Sequence, residues 1–402
     1  MNDTDIHALQ HEKLDQLPPI LRDADIDCWL VWVRETIQSP DPVLSLILGA
    51  DLVWPSALLF TPDAERIAVV GQFDAVVIPE DLYTRVIPYT EGIAAALQEE
   101  LDRIAPRTIA INESKNDVAA DGLTAGMKSL LVDALAPTPY ADCLVSAEDV
   151  IGRLRGRKSP TEQKRIRRAV RITEEIYDEL DGFLRVGQSE LEIQRFVHRR
   201  MEQIGVGFAW QAVSNPAVDA GPDKPFGHGS PSKNRTKSGH LLHFDFGVQA
   251  NGYSSDIQRM YFFGTPAQVP EEVHHAFDTV RDAIQAGASA LKPGVRGIDV
   301  DAAARTFVTD NGYPSFGHAL GHQVGRFAHD GGTVLAPAWE QYGASPYGRI
   351  EQGNVFTLEL HVPTEHYGQV SLEEDVLVTA SGCEFLSQPQ KKLRCLPAVD
   401  HP

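Results

Sequence analysis

The stretch DFGVQANGYSSDIQR, residues 245–259, decides the fold because it predicts a hairpin with a carboxylate on each arm. Its centre, Asn251-Gly252, is a strong signal for a two-residue hairpin turn. The apolar runs HLLHFDFGV before the turn and YSSDIQRMYFF after it predict the two strands. Asp245 lies between two phenylalanines, where an aspartate is disfavoured and costs free energy unless it is paired or ligated.

The pairing of this hairpin has two possible registers. If the hairpin centres between Ala250 and Asn251, Asp245 faces Asp256 directly. If Asn-Gly is a strict two-residue turn, Asp245 opposes Gln258 and is diagonal to Asp256. Because alternate residues of a strand share a face, both registers bring the two carboxylates together. Two like charges at that distance repel unless a cation lies between them.

A second acidic hairpin is predicted after residue 350, from NVFTLELHV and VSLEEDVLVT. Glu359 and Glu373 lie an even number of residues apart, consistent with one face. A single strand aspartate is more often an edge residue or an ion-pair partner, but two acidic hairpins favour a shared site. With a histidine they would suit two divalent cations (manganese, zinc or cobalt), which lie about 3.5–4 Å apart in such sites and share bridging ligands.

The stretch GHALGHQVGRFAHD, residues 317–330, supplies candidate histidines at positions 318, 322 and 329. Spacing alone does not decide which of them binds metal. His318 and His322 have the spacing of the zinc motif HExxH, but that motif needs a glutamate directly after its first histidine. This chain has Ala319 there, and the glycines of the stretch disfavour a helix.

Composition narrows the class of protein. The 402 residues allow two or three domains, and 43% hydrophobic residues allow substantial cores. A net charge of −20 repels nucleic acid and anionic membranes, so we expect neither as a partner. The chain has no apolar run of about 18 residues, as a membrane-spanning helix requires, and no signal-peptide pattern at its start. Four scattered cysteines make a disulfide framework unexpected, and we expect a cytoplasmic protein.

Two domains are predicted. Residues 1–152 alternate apolar runs with a helical pattern, which indicates a smaller α/β domain. Its predicted strands are at 28–33, 57–61, 66–70 and 108–112, and its helix is at 91–105. A basic stretch, 153–171, marks the boundary and is interpreted as a solvated helix face. In residues 153–402, capped helices at Ser159 and Ser189, further helices near 270–291 and 298–311, and the two hairpins predict an α+β class.

These residues resemble the pita-bread metallopeptidases, a family that includes aminopeptidase P, prolidase, methionine aminopeptidase and creatinase. Residues 245–259 match its first motif, an Asp before Gly and a hairpin ending in Gly-Tyr and Ser-Asp-Ile-x-Arg. LEEDVLVT, residues 372–379, matches its last motif. The motifs cover residues 153 to about 382, whereas residues 1–150 resemble aminopeptidase P, prolidase and creatinase only in size and pattern. The resemblance implies a pita-bread catalytic domain, and a homodimer.

The resemblance also implies a role for each residue. Asp245 would bind one metal, Asp256 and Glu373 would bridge two, and His322 and Glu359 would complete the second. In the family a second histidine follows the ligand by seven positions, which HQVGRFAH matches from His322 onward.

The remaining histidines are not implied to be metal ligands. The histidines implied to contact substrate and the tetrahedral intermediate are His228, His318 and His329. For each of these alone, a satisfied loop or core histidine is an equally good interpretation. His243 and His361 share strand faces with ligands, so each either supports a ligand or simply packs there.

The implied activity is hydrolysis of Xaa-Pro bonds in small peptides with proline at the second position, by an Xaa-Pro dipeptidase or aminopeptidase. A hydroxide held by the two metals would attack the carbonyl carbon, with Glu359 handling the water proton. Relatives often have Pro and Tyr after the ligand at Glu359, and an Arg at the position of Ser371; this chain lacks all three. Those departures keep open a creatinase-like C–N hydrolase or a metal-dependent lyase acting on a small molecule. The retained ligands argue against a catalytically dead binding protein.

Overall fold

The structure is a computed structural model that describes residues 3–223, 227 and 229–396. The chain divides into two compact units, Met1–Thr161 and Glu162–Pro402. The domain boundary predicted between residues 152 and 153 falls within a helix, Glu148–Gly156. No helix among the described residues is both long enough and apolar enough to cross a membrane.

The first unit is built on a mixed sheet. Its strands are β1 (Cys28–Val33), β2 (Ser56–Phe60), β3 (Arg66–Gly71), β4 (Arg85–Tyr89), β5 (Ile109–Ile111) and β6 (Leu144–Ser146). Its helices are α1 (Asp3–Leu14), α2 (Leu17–Asp23), α3 (Leu44–Ile47), α4 (Ala94–Ile104), α5 (Ala125–Leu135) and α6 (Glu148–Gly156). The strand order is β4-β3-β2-β1-β5-β6. Strand β1 is central and buried along its whole length, which explains its uninterrupted apolar sequence.

The four strands and the helix predicted in this unit are all present. The turn between β2 and β3 contains Ala64 at a φ of 66°, in the left-handed region that tight turns use. Strand β1 contributes Leu30 to a core that also contains Leu97 of α4 and Leu131 of α5. Helices cover this sheet, so the smaller unit has the α/β character expected from the sequence.

The second unit contains long helices and a larger antiparallel sheet. The helices are α7 (Pro160–Phe183), α8 (Glu190–Ile204), α9 (Glu271–Ala290) and α10 (Gly297–Asp310). The strands are β7 (Gly207–Phe208), β8 (Ala217–Ala220), β9 (Leu241–Phe246), β10 (Val248–Ala250), β11 (Tyr253–Ser254), β12 (Ile257–Phe263), β13 (Val355–Pro363), β14 (Gln369–Val378), β15 (Cys383–Phe385) and β16 (Arg394–Leu396). The predicted capping box of α8 is present, since Ser189 and Glu192 each accept the other's backbone N–H.

The large sheet joins the two predicted hairpins side by side. Its main order is β13-β14-β12-β9-β8, with β15 beside β14 and β16 beside β12. Strand β12 pairs with β9 of its own hairpin and with β14 of the other. The pairs along the main order are all antiparallel. The acidic strands of both hairpins therefore belong to one surface.

The first hairpin has the register of a strict two-residue turn. Asn251 and Gly252 have φ values of 54° and 75°, which the twist-compatible hairpin turn requires. Ala250 pairs with Tyr253, and the same register continues into β9 and β12, where Asp245 faces Gln258. The alternative register, with Asp245 directly opposite Asp256, is therefore wrong for this chain.

A glycine allows the two arms of this hairpin to approach closely below the turn. A Cβ on Gly247 would lie 2.0 Å from the carbonyl oxygen of Ser255, far inside van der Waals contact. The neighbouring Val248 donates its backbone N–H to the Ser255 hydroxyl at 3.1 Å, and its carbonyl accepts from the Ser255 backbone N–H at 3.1 Å. Gly247 therefore keeps Asp245 and Asp256 close on the two arms.

One face of the large sheet packs against helices. Leu358 and Leu360 of β13 and Leu372 of β14 belong to one apolar cluster with residues of α9. Further along the sheet, Tyr177 of α7 packs edge-on against Phe244 of β9, with ring centroids 5.6 Å apart. Because side chains alternate along a strand, Glu359, Glu373 and Asp245 point to the other face.

Candidate metal centre

A row of polar side chains crosses four strands on that second face. Glu359 of β13 pairs with Glu373 of β14, and Glu373 pairs with Gln258 of β12. Gln258 in turn pairs with Asp245 of β9. Asp256 precedes Gln258 by two residues and so lies on the same side. The sheet alone thus brings four carboxylates together.

His322 completes the cluster from a loop between α10 and β13. One ligand atom from each of Asp256, His322 and Glu373 lies within 4.8 Å of the others. His322 Nε2 is 3.5 Å from Glu359 Oε1 and 4.0 Å from Asp256 Oδ2. Asp245 lines the same cavity as Asp256. The structure therefore gathers all five residues that the sequence selects as metal ligands.

Backbone contacts to β13 hold the His322 loop in place. Thr357 N–H donates to the His322 carbonyl at 2.9 Å, and His322 N–H donates to Thr357 Oγ1 at 3.2 Å. A Cβ on Gly321 would lie 1.9 Å from the Thr357 carbonyl oxygen, so the approach needs glycine. His322 Nδ1 lies 3.4 Å from the carbonyl of Gln323. Donation there leaves the lone pair on Nε2, the nitrogen that faces the carboxylates.

The electrostatics of the cluster show an excess of negative charge. Burial, and then the charge of Asp245, raises the pKa of Glu359 to about 8. Burial and the neighbouring carboxylates also raise the pKa values of Asp256 and Glu373 well above their usual range. Burial, and then His329, lowers the pKa of His322 to about 3, so its imidazole is neutral. Buried carboxylates beside a neutral imidazole are the donor set that Mn²⁺, Zn²⁺ or Co²⁺ accepts, and the residues present fit a divalent cation.

A glutamine lies at the centre of the row. Gln258 Nε2 donates to Glu373 Oε2 at 3.0 Å and to Glu359 Oε2 at 3.2 Å. Its Oε1 accepts from the Ser371 hydroxyl at 2.6 Å and lies 2.9 Å from His243 Nε2. The sequence placed Gln258 opposite Asp245 in one register but gave it no function. The signal that could have identified it is its cross-strand position between carboxylates.

His243 is the next member of this network. Its Nδ1 lies 2.9 Å from Asp219 Oδ2 on β8. Burial lowers the pKa of His243, but the hydrogen bond and charge of Asp219 outweigh burial and raise it overall. Of the two interpretations open for His243, support for a ligand or simple packing, the contact with Gln258 favours support.

The three histidines expected to contact substrate differ in position. The ring of His329 lies 4.1 Å from that of His322, centroid to centroid, and it lines the cavity beside Asp256. His318 instead stacks on His361, with Nε2 3.0 Å from His361 Nδ1. Burial, and then His318, lowers the pKa of His361 to about 4. His228 lies outside the described residues. Substrate contact remains a prediction for all three.

A cavity of about 370 Å³ opens onto the carboxylates. Asp245, Asp256 and His329 line one part of it, and Trp210 and Phe327 line another. Small-molecule pockets have volumes of about 300–1,000 Å³ and combine apolar walls with a few polar groups. The site can therefore hold a ligand as small as a short peptide next to a metal.

Together, the fold and this site define a metallopeptidase. The sequence profile of metallopeptidase family M24 matches residues 164–380. An uncharacterized peptidase of Staphylococcus aureus (strain USA300) is 27% identical over 306 residues, which are 76% of this chain and 81% of that relative. The chain belongs to metallopeptidase family M24, a family of metal-dependent enzymes.

Solved structures show the same fold. An X-Pro aminopeptidase from Thermotoga maritima has a TM-score of 0.69 and 22% identity, over 95% of this chain and 99% of that one. An Xaa-Pro dipeptidase from Bacillus anthracis has a TM-score of 0.71 and 21% identity, over 96% of this chain and 100% of that one. These structures confirm the predicted pita-bread fold, and the family match over residues 164–380 confirms the predicted enzyme class, a metallopeptidase.

Proposed function

We propose that this protein is an Xaa-Pro peptidase that works with two divalent metal ions. The observation that carries the proposal is the convergence of five donor side chains on one face of the sheet, beside a cavity of about 370 Å³. These residues are Asp245, Asp256, His322, Glu359 and Glu373. Proteins named X-Pro aminopeptidase and Xaa-Pro dipeptidase share the fold, which supports the choice of substrate.

In this proposal the five donor residues would hold the ions, and Glu359 would also handle a proton. Asp256 and Glu373 would be ligands shared by the two ions, Asp245 would hold one ion, and His322 and Glu359 would hold the other. When bound, the ions polarise the scissile carbonyl and lower the pKa of the attacking water. Glu359 is also assigned the uptake and return of the proton of the attacking water, as a carboxylate can do in general acid–base catalysis.

The histidines serve the substrate. His329 lines the cavity, so its ring can donate a hydrogen bond to the oxygen that becomes negative in the tetrahedral intermediate. His318, whose Nε2 lies 3.0 Å from His361 Nδ1, is assigned a substrate contact from the sequence. His228 is assigned a substrate contact from the sequence alone.

A dipeptide and a tripeptide test this activity. The metal-free protein, reloaded with Mn²⁺, Zn²⁺ or Co²⁺, is expected to cleave Ala-Pro, Ala-Pro-Ala or both, and to leave Ala-Ala intact. Release of free alanine is the measurement. Cleavage of Ala-Pro alone identifies a dipeptidase, and cleavage of Ala-Pro-Ala identifies an aminopeptidase. If no metal supports proline-dependent cleavage, the proposed substrate is wrong.

A second candidate is a C–N hydrolase or lyase acting on a small molecule. The observation that favours it is Ser371, whose hydroxyl donates to Gln258 and lies 3.2 Å from the Leu360 carbonyl. The family resemblance leads us to expect an arginine at this position, so a cationic substrate contact is missing. Metal binding without cleavage of any peptide in the assay above would favour this candidate.

We also propose a homodimer, as the family resemblance implies. The first unit exposes a group of apolar side chains that supports this state: Phe73 is 70% exposed and Val76 is 84% exposed. Sedimentation is expected to give a mass about twice the 44.1 kDa of the chain, and Val76→Asp is expected to lower it. Val118, 86% exposed elsewhere, provides a matched control as Val118→Asp. A monomer at all concentrations would contradict the proposal.

A further inference from the structure

We propose that Gln258 is a positioning residue that aims the carboxylates of Glu359 and Glu373 at the metal ions. This inference rests on the proposed metal site and adds to it a residue that binds no metal itself. Gln258 is 5% exposed and lies between Glu373 and Asp245 in the row across the sheet. Its position makes it the neutral neighbour of ligands on three strands.

The amide nitrogen of Gln258 determines which oxygen of each glutamate faces the glutamine. Both N–H groups are directed at acceptors, the Oε2 atoms of Glu373 and Glu359, at 3.0 and 3.2 Å. The other oxygen of Glu359, Oε1, is the one that lies 3.5 Å from His322 Nε2. With Oε2 held by the glutamine, Oε1 is the oxygen presented to the ion. Such outer contacts orient ligands and keep them in place.

The orientation of the glutamine is fixed from its other end. Oε1 receives the Ser371 hydroxyl at 2.6 Å and faces His243 Nε2 at 2.9 Å. His243 is itself held at 2.9 Å by Asp219. A flipped amide would place its oxygen against two carboxylates and its N–H groups against the imidazole, which exchanges favourable contacts for repulsive ones. Hydrogen-bond contacts thus connect Asp219 of β8, through His243 and Gln258, to Glu359 of β13, and they hold each side chain in one orientation.

The chemistry of glutamine suits this place. The site already has four carboxylates, and a fifth would add charge that the ions must neutralise. A carboxamide supplies two donors without charge, and its length spans from β12 to both glutamates. Methionine has a similar shape but no amide, so Gln258→Met removes the hydrogen bonds to the two glutamates and the contacts of Oε1 with Ser371 and His243, while leaving the packing nearly unchanged.

The test is the affinity of the metal-free protein for Mn²⁺, measured by titration calorimetry. We expect Gln258→Met to bind Mn²⁺ about 10–100-fold more weakly than the wild type, the usual effect of removing a residue that supports a ligand. Gln258→Glu is expected to lower the activity of the Mn²⁺-loaded enzyme, because the extra carboxylate competes for the ions. Far-ultraviolet circular dichroism checks that each variant is folded.

A matched control separates positioning from general loss of buried hydrogen bonds. Gln390 is 6% exposed, and its amide bonds to backbone groups of Met260 and Lys392 rather than to a ligand. Gln390→Met is expected to lower thermal stability but to leave Mn²⁺ affinity unchanged. If Gln258→Met does not fold, Ser371→Ala removes one hydrogen bond to Oε1 and is expected to weaken Mn²⁺ binding in the same direction by a smaller factor.

The outcomes distinguish this inference from the function on which it rests. If the wild type binds Mn²⁺ and Gln258→Met binds it equally well, the positioning role is wrong and the metal site stands. If Gln390→Met weakens binding as much as Gln258→Met, the effect is general and the inference also fails. If the wild type binds none of Mn²⁺, Zn²⁺ and Co²⁺, both the inference and the proposed function are wrong.

Discussion

Asp256→Asn is expected to abolish metal binding and activity while leaving the metal-free protein at least as stable as the wild type. Burial, and then the charges of Asp245, Asp375 and Glu359, raise the pKa of Asp256 well above its usual range. An amide cannot bridge two cations as a carboxylate does, and the loss of a ligand should exceed the roughly 10–100-fold cost of losing a supporting residue. The same change removes like-charge repulsion from the empty cluster, so the fold does not suffer.

The measurements are metal content after dialysis, peptidase activity and the unfolding midpoint in urea. Asp299→Asn is the matched control, because Asp299 lies on the surface of α10 and pairs with Arg296 at 2.8 Å, away from the cluster. It is expected to keep wild-type metal content and activity. Retention of wild-type metal content by Asp256→Asn would show that the ligand assignment is wrong.

The metal-free protein is expected to lose stability steadily between pH 6.5 and 8. Glu359 titrates near 4.5 when unfolded and near 8 in the folded protein. A raised folded pKa gives a contribution to stability that is complete below pH 4.5 and disappears as the pH rises toward 8. Asp256 and Glu373 act in the same direction. Each uncompensated proton gives a slope of about 1.4 kcal/mol per pH unit.

The contribution of the His322 imidazole to stability explains why the predicted loss of stability begins only near pH 6.5. His322 titrates near 6.5 when unfolded and near 3 when folded. A lowered folded pKa contributes stability that is complete above pH 6.5 and is lost as the pH falls toward 3. His322, together with His361, whose pKa is lowered to about 4, therefore opposes the carboxyls between pH 4.5 and 6.5 and reduces the net change there. Above pH 6.5 the carboxyl contribution still changes, and the raised pKa of His243 acts in the same direction.

Urea unfolding in the presence of a chelator, at half-unit steps of pH, measures this dependence. Saturating Mn²⁺ is expected to flatten the profile, because a bound cation favours ionised carboxylates. Asp256→Asn without metal is expected to reduce the slope, since it removes one of the three proposed ligand carboxyls whose pKa is raised. A metal-free stability that is constant or rises from pH 6.5 to 8 would contradict the electrostatic account of the cluster.

The parts of the fold that follow from local rules were predictable from the sequence. The turn at Asn251-Gly252 and the alternation along β13 and β14 depend only on neighbouring residues, and both hairpins are present. The choice between two hairpin registers needed the structure, because both put Asp245 and Asp256 on one face. The resemblance added His322, which no spacing rule selects over His318.

The parts that depend on distant contacts were not predictable. Strand β8 pairs with β9 across a connection of about twenty residues, and this pairing brings Asp219 to His243. His318 stacks on His361 because the loop before β13 folds back along that strand. Neither contact leaves a pattern in the sequence around the residues involved. Non-local partners of this kind are set by tertiary packing, which single-sequence periodicity does not record.

The pairing of β12 with β14 has a consequence for when a newly synthesised chain can bind metal. Each hairpin by itself offers two carboxylates, and the histidine loop is anchored on β13. A chain still under synthesis that has passed Asp256 but not reached His322 holds only two of the five proposed donors, Asp245 and Asp256, and so offers a cation an incomplete site. Under the proposed ligand assignment, metal therefore binds only after both hairpins have been synthesised and paired. Binding then stabilises the paired hairpins by mass action.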